Sequence, residues 1–360
     1  MRKIRLKNLK IGMTIAQNLY SGSGSIIVPA STVVQQVHID RLSELGVREV
    51  AIDDPRVRDI DLHESISENT KVRAIGLLKQ IFESVAMATR LEDIDIQYDK
   101  VRKVAGDIED DLSSSKSDIV TLADCHVPDD YLAVHSLNVA ILSMMVAKRS
   151  GLGSKTLEVG AGALLHDVAI PLIPREITHK KGPLDSGEED SMRKHPALGL
   201  QILRCDKQSS AYVRAVVYQH HERHDGSGYP RGLRGDEIDP LARIVAVADA
   251  YAAMVEPGPY RAILPRQEAF EYLMSAAGYE FDRQTVQGCL LYLAPYPVGT
   301  MVKLNTGEKG VVIRVSKGLG MRPVVRVFTD KDGRNLAKTY DLDLALSENQ
   351  TKLIAEVCDD

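Results

Sequence analysis

Two adjacent imidazoles open the run His220-His221-Glu222-Arg223-His224-Asp225-Gly226-Ser227-Gly228-Tyr229-Pro230, at the end of a helix predicted over Ala211–Gln219. Other groups able to hold an ion stand at spaced points before and after it. His135 lies in the second turn of a helix predicted from Tyr131 to about Arg149, and His166-Asp167 follows the small apolar segment Gly160–Leu165. His195 opens another helix after Lys194, and Asp249 follows Ile244–Val247. Five of the ten histidines thus join two aspartates in apolar surroundings. Imidazole with carboxylate is the ligand mixture of Fe, Mn, Zn or Co. Seven such groups exceed the needs of one ion and suit two ions sharing a carboxylate, for which Asp167 is the best placed. Ions roughly 3.5–4 Å apart activate a water and clamp a phosphoryl oxygen, the two-metal route to phosphodiester hydrolysis.

The elements that must position these groups follow from the pattern. Neighbours on a helix project about 100° apart, so His220 and His221 are expected to serve two ions, or an ion and a substrate. Gly226 and Gly228 permit positive φ and close approach of backbone to a ligand. Gly160-Ala161-Gly162-Ala163 permits close helix packing, which buries His166-Asp167, and a buried carboxylate needs a partner such as a cation. Asp129 or Asp130 is placed to cap the helix that starts at Tyr131.

Four segments are expected. Residues 1–66 read as a small α/β accessory unit, with strands at Met13–Leu19, Ser25–Val28 and Val47–Ile52, a turn at Ser21–Gly24 and a helix at Val37–Leu45. Its His38 and His63 are isolated and read as structural. Residues 67–125 read as a helical connector, Val72–Leu91 and Asp93–Leu112, which could form a homodimer surface. Residues 126–295 are almost wholly helical and hold the chemistry. Residues 296–360 read as a β-rich extension, with strands at Met301–Leu304, Gly310–Val315, Arg322–Phe328 and Thr351–Val357.

Bulk composition narrows the function classes. The formal net charge of −5 gives no reason to expect duplex nucleic acid as a partner, although a small phosphorylated ligand needs only local cations. Cys125, Cys205, Cys289 and Cys358 are scattered and form no CxxC pair, which argues against a zinc ribbon or a disulfide framework. No membrane-spanning run or signal-peptide core is evident, so no membrane partner and a cytoplasmic location are expected.

The residues together resemble a known family. His166-Asp167 has the signature of the HD-domain metal-dependent phosphohydrolases, and His220–Pro230, ending in Gly228-Tyr229-Pro230, resembles the HD-GYP subfamily, which hydrolyses the bacterial second messenger cyclic di-GMP. Tyr131 with His135-Ser136-Leu137-Asn138, Leu164–Asp167, His195-Pro196, Gly232-Leu233, Gly235–Ile238, Ala242-Arg243-Ile244, Asp249 and Pro259-Tyr260-Arg261 fall in family order over about 126–295. The tail from Tyr296 is similar to the β-rich extension often found after this domain. The resemblance implies a mainly α chain: an all-helical HD-type domain with a small N-terminal α/β unit and a small C-terminal β-rich extension. It implies His135, His166, Asp167, His195, His220, His221 and Asp249 as metal ligands for two divalent ions, Fe or Mn. Asp167 and His166 become the catalytic pair, with Asp167 bridging. Gly228, Tyr229, Pro230, Arg261 and Lys194 are the implied substrate contacts. Hydrolysis by a metal-bridged hydroxide, with signalling proteins as further partners, is the implied activity.

Several positions depart from the family pattern. Ile170 and Gly258 stand where a phosphate-binding Lys and Arg are usual, Ala252 where Asp is common, and Tyr131 where some members carry a carboxylate for a third ion. A buried charge-assisted contact is worth about 1.5–3 kcal/mol, so losing both cations would weaken binding by orders of magnitude unless Arg261, Lys194, Arg223, Arg231 or Arg234 compensates. Four readings follow: a cyclic di-GMP phosphodiesterase, a weak or inactive metal-containing cyclic di-GMP receptor or scaffold, a phosphohydrolase of another nucleotide such as a different cyclic dinucleotide, and a structural role without metal.

Overall fold

The computed structural model describes all residues except 21–25, 48, 61–63, 116, 123–130, 259–262 and 359–360. The expected turn at Ser21–Gly24, the caps Asp129 and Asp130, His63, Cys125 and Pro259-Tyr260-Arg261 therefore lie outside the described residues. The chain is mainly α and forms two compact units. One comprises residues 1–63, 117–121 and 293–360; the other comprises residues 64–116 and 122–292.

The first unit begins with β1 (Arg2–Arg5), β2 (Leu19–Tyr20), β3 (Ile26–Val28), α1 (Gln36–Glu44) and β4 (Glu49–Ile52). β1 pairs antiparallel with β4, and β2 with β3. The predicted strand Met13–Leu19 is reduced to isolated bridges at Thr14 and Ile15 before β2. Ile4, Ile15, Val28, Val34, Leu42 and Val50 form the local core.

The second unit is built of helices. α2 (Glu68–Met87) and α3 (Tyr98–Ser114) pack on each other and on α4 (Tyr131–Arg149). Next come α5 (Thr156–Leu165), the short α6 (Arg175–Thr178) and α7 (Ser186–Met192), then α8 (His195–Asp206) and α9 (Ala211–Gln219). α10 (Pro240–Val255), α11 (Arg266–Ala276) and α12 (Arg283–Leu290) complete it. Glu188-Glu189-Asp190 thus lie on α7. Its capping box, in which Asp185 and Glu188 satisfy each other's backbone N–H groups, explains a helix in so acidic a stretch.

α4 is buried around its whole circumference from Ala133 to Ala147, the mark of a core helix. By length and composition it could cross a membrane, but 83% of its apolar window is buried among the other helices. α5 can approach it because Gly160 lies against the Met144 thioether. On the other side, a Cβ at Gly162 would come within 2.8 Å of Val216 on α9, and one at Gly199 of α8 within 2.7 Å of Val217. Small residues therefore draw α4, α5, α8 and α9 together, and α10 packs on α4 and α9.

The chain then returns to the first unit as β5 (Met301–Leu304), β6 (Lys309–Arg314), β7 (Val324–Thr329), β8 (Asn335–Asp343) and β9 (Ile354–Val357). These form one antiparallel sheet in the order β8-β7-β6-β5-β9. Within this unit, Val57 and Ile60 share a core with Met301, Val311 and Phe328, and Arg326 bonds both Asp341 on β8 and Asp59.

Candidate metal centre

Helix ends supply most of the candidate ligands. His166 caps the C-terminus of α5 and Asp167 follows it; His195 is the first residue of α8; His220 caps the C-terminus of α9 and His221 follows. His135 and Asp249 project from within α4 and α10. The last carbonyls of a helix lack an intrahelical partner, and three histidines use them. The Nδ1–H groups of His166, His195 and His220 donate to the carbonyls of Ala163, Met192 and Val217 at 2.7, 2.7 and 2.9 Å. A carbonyl can only accept, so each Nδ1 carries a proton and each ring turns Nε2 inward. Such outer bonds fix the tautomer and orientation of a ligating histidine.

Asp167 stands between two groups of rings. Its Oδ1 lies 3.3 Å from His195 Nε2 and 3.8 Å from His220 Nε2, and its Oδ2 lies 3.2 Å from His166 Nε2. Ligand atoms of Asp167, His195, His220 and His221 fall within 4.8 Å of one another, as do those of His135, His166 and Asp167. Asp249 also spans both groups, with Oδ1 3.0 Å from His135 Nε2 and Oδ2 3.7 Å from His221 Nδ1. All seven residues singled out from sequence converge. His220 and His221 meet within one group, their ring centroids 4.2 Å apart. α9 ends at Gln219, so the 100° spacing of a continuing helix does not separate them.

The donors fit a cation. His195 Nε2 and His220 Nε2 face each other at 3.1 Å with both Nδ1 protons already committed. Burial lowers the pKa of both rings, that of His220 to about 3 with help from His166 and His195, so neither supplies a second proton at neutral pH. Two lone pairs in a buried pocket repel unless a positive charge lies beside them. His166 Nε2 is buried without a hydrogen bond of acceptable geometry. On the other side, burial opposes charge on His135 and His166, yet nearby acids outweigh it and raise both pKa values: Tyr131 and Glu256 for His135, Asp167 for His166. Burial alone would raise Asp167 and Asp249; His166 acts most on Asp167 and His135 on Asp249, and both are held well below the carboxylate range. Protons on His135 and His166 and a bound cation are therefore alternatives at the same oxygens.

The loop after His221 is tied down by residues that sequence reasoning missed. Glu222 is buried and its two oxygens accept the N–H groups of Arg231 and Leu233 at 2.8 and 2.9 Å. Gly228 lies against the backbone of 221–223, where a Cβ would come within 2.5 Å of the His221 carbonyl oxygen. Its smallness thus serves loop packing, while Gly226 takes φ +81°. Tyr229 lies over His221 at 4.7 Å, and the Arg193 guanidinium sits 5.1 Å above Tyr229. Pro230 follows through a cis peptide. Arg193 also pairs with Glu189 at 2.6 Å, and both it and Lys194 are exposed. Arg223 covers Phe281, Arg234 packs on Gly226, and Arg231 is exposed. Arg261 lies outside the described residues.

The departures also have a local setting. Tyr131 stacks on His135 at 5.5 Å and 18°, and a Cβ at Gly258 would lie 3.2 Å from its hydroxyl. Ile170 is half-buried in a 3-10 turn, its N–H bonded to the Asp167 carbonyl at 2.9 Å.

Comparison with known proteins agrees with this geometry. Residues 120–285 match the family described as HD domain, and residues 301–360 the KOW domain associated with HD domain. The cyclic di-GMP phosphodiesterase PA4108 of Pseudomonas aeruginosa is 29% identical over 81% of this chain and 76% of its own length. A 3'3'-cGAMP-specific phosphodiesterase, the second of that name in Vibrio cholerae, is 35% identical over 42% of this chain; the match spans only 30% of that protein. The solved structure of Bd1817, an HDG"Y"P protein from Bdellovibrio bacteriovorus, is similar with a TM-score of 0.52 at 21% identity, covering 80% of this chain and 97% of that one.

Proposed function

We propose that residues 120–285, which match the HD-domain family, form a domain of the HD-GYP subfamily and that the protein is a metal-dependent phosphodiesterase of cyclic di-GMP. The observation that carries the reading is the division of Asp167, one oxygen toward His195 and His220 and the other toward His166. His135, His166, Asp167 and Asp249 would hold one divalent ion, Fe or Mn, and Asp167, His195, His220 and His221 would hold the second. When bound, such a pair supplies a water acidic enough to ionise near neutral pH and neutralises charge on the phosphoryl group. The chain's own contribution is to fix the ligand atoms through helix-end carbonyls, to exclude water by burying the rings, and to hold Tyr229 over His221. Arg193 is the cation that the described loop packing brings over Tyr229, and with Lys194 and Arg261 it takes the phosphate contacts that Ile170 and Gly258 forgo. A cytoplasmic location belongs to this reading.

Two other readings rest on specific observations. Apolar Ile170 and the tight approach of Gly258 to Tyr131 favour a metal-containing receptor with slow turnover. Similarity to a cGAMP-specific enzyme favours a mixed dinucleotide as substrate. Hydrolysis of cyclic di-GMP and 3'3'-cGAMP by protein loaded anaerobically with Fe(II) or Mn(II), with products resolved by chromatography, separates the three. Linear product from cyclic di-GMP that disappears in Asp167→Ala supports the first. Product from cGAMP alone supports the mixed-dinucleotide reading, and nucleotide binding without product supports the receptor.

A further inference from the structure

His135 differs from the other inward-facing histidines in what holds it. It sits in the second turn of a 19-residue helix, away from the free carbonyls of a helix end. Its Nδ1–H instead donates to Oε2 of Glu256 at 2.8 Å. Glu256 stands just after α10, is 7% exposed, and accepts from Asn138 Nδ2 at 2.7 Å through its other oxygen. Each oxygen of this buried carboxylate thus has a donor on α4. Hydrogen bonds to an ionised acceptor are roughly twice as strong as neutral ones, and a carboxylate behind a ligating imidazole raises its basicity. His195 and His220, backed only by carbonyls, lack that reinforcement.

We infer that Glu256 is a positioning residue: it fixes His135 with Nε2 inward and makes the His135–His166–Asp167 half of the cluster the tighter of the two cation sites. The inference rests on the reading that the cluster holds two cations. The two halves then differ in one respect: His135 is backed by a carboxylate, whereas His166, His195 and His220 are backed by carbonyls.

The test is a chelator-competition titration of Mn(II) into the metal-free full-length chain. The parent takes up two ions in two resolved steps. Glu256→Gln, which keeps the shape and removes the charge, weakens the tighter step about 10–100-fold and leaves the weaker one within about threefold. Asn138→Ala cuts the other tie of Glu256 and leaves both steps in place, which a merely structural role for Glu256 would not allow. Two equal steps in the parent, or an unchanged titration in Glu256→Gln, overturns the inference and leaves the two-cation reading standing. No uptake by the parent overturns both. A measurement on the parent covers the case of a misfolded variant. In Zn(II)-loaded protein with 15N-labelled histidine, His135 carries its proton on Nδ1, and a proton on Nε2 overturns the inference.

Discussion

His195 and His220 turn their Nε2 atoms toward each other at 3.1 Å while their Nδ1 protons are held by the carbonyls of Met192 and Val217. Neither ring has a proton to share, so the pair is a repulsive contact in the metal-free protein and an attractive one around a cation. Removing metal by chelation should therefore destabilise the helical unit. At free metal a thousandfold above Kd the linkage is about 4 kcal/mol, or roughly 10 °C in Tm for a unit of this size. Calorimetry with and without chelator checks this, and identical melting curves would count against a cation in the pocket.

Acid and alkali should act on the metal-free protein through different rings. His195, His220 and His221 have lowered pKa values, first through burial, so below about 6.5 the unfolded chain binds protons that the fold refuses. Stability falls there by up to about 1.4 kcal/mol per pH unit for each ring. His135 and His166 have raised values, because neighbouring acids overcome burial. Their contribution is fully present below about 6.5 and is lost as pH rises through their folded values. Metal-free Tm should peak near neutrality, and bound metal should remove the alkaline decline. A monotonic profile in both states would contradict this.

Glu222 should behave as the anchor of the loop. Glu222→Ala leaves the N–H groups of Arg231 and Leu233 without their acceptor, a loss of roughly 3 kcal/mol or more. Hydrogen exchange should quicken across residues 226–234 and spare α4 and α5. Unchanged exchange in the loop would refute the role.

The altered phosphate clamp should resist simple reversal. Ile170→Lys should tighten cyclic di-GMP binding by about tenfold, the worth of one charge-assisted contact. Gly258→Arg alone should gain less, because its Cβ meets the Tyr131 hydroxyl at 3.2 Å and the ring carbon that bears it at 3.3 Å, and should gain more when combined with Tyr131→Ala. Calorimetric titration of the single and double variants reads the coupling, and simple additivity would argue against it.

Much of the site could be read in the sequence because histidines and aspartates in apolar segments are scarce and chemically expressive. Glu222 and Glu256 could not be read in this way. Glutamate is ordinarily a surface residue, and Glu256 meets His135 across 121 positions that only the packing of α4 and α10 closes. Arg193 looks like one more charge at the end of an acidic stretch until Tyr229 is seen beneath it. The α2 and α3 patterns were legible because each buries one apolar face, although the expected bounds were displaced by up to five residues. β8 was missed because it lies at the sheet edge and its residues are mostly exposed, which leaves no alternation to detect. β1, Arg2–Arg5, was hidden by its charge for a similar reason; Arg2 is buried against Asp54.

The most direct measurement is electron paramagnetic resonance of the Mn(II)-loaded parent and of Asp167→Asn, with metal content determined on the same samples. Asp167 directs one oxygen to each group of histidines, so the parent should hold two ions per chain with the signature of a spin-coupled pair. Asp167→Asn should lose the coupling and at least one ion. A parent with a single ion, or with two uncoupled ions unaffected by Asp167→Asn, would contradict the account.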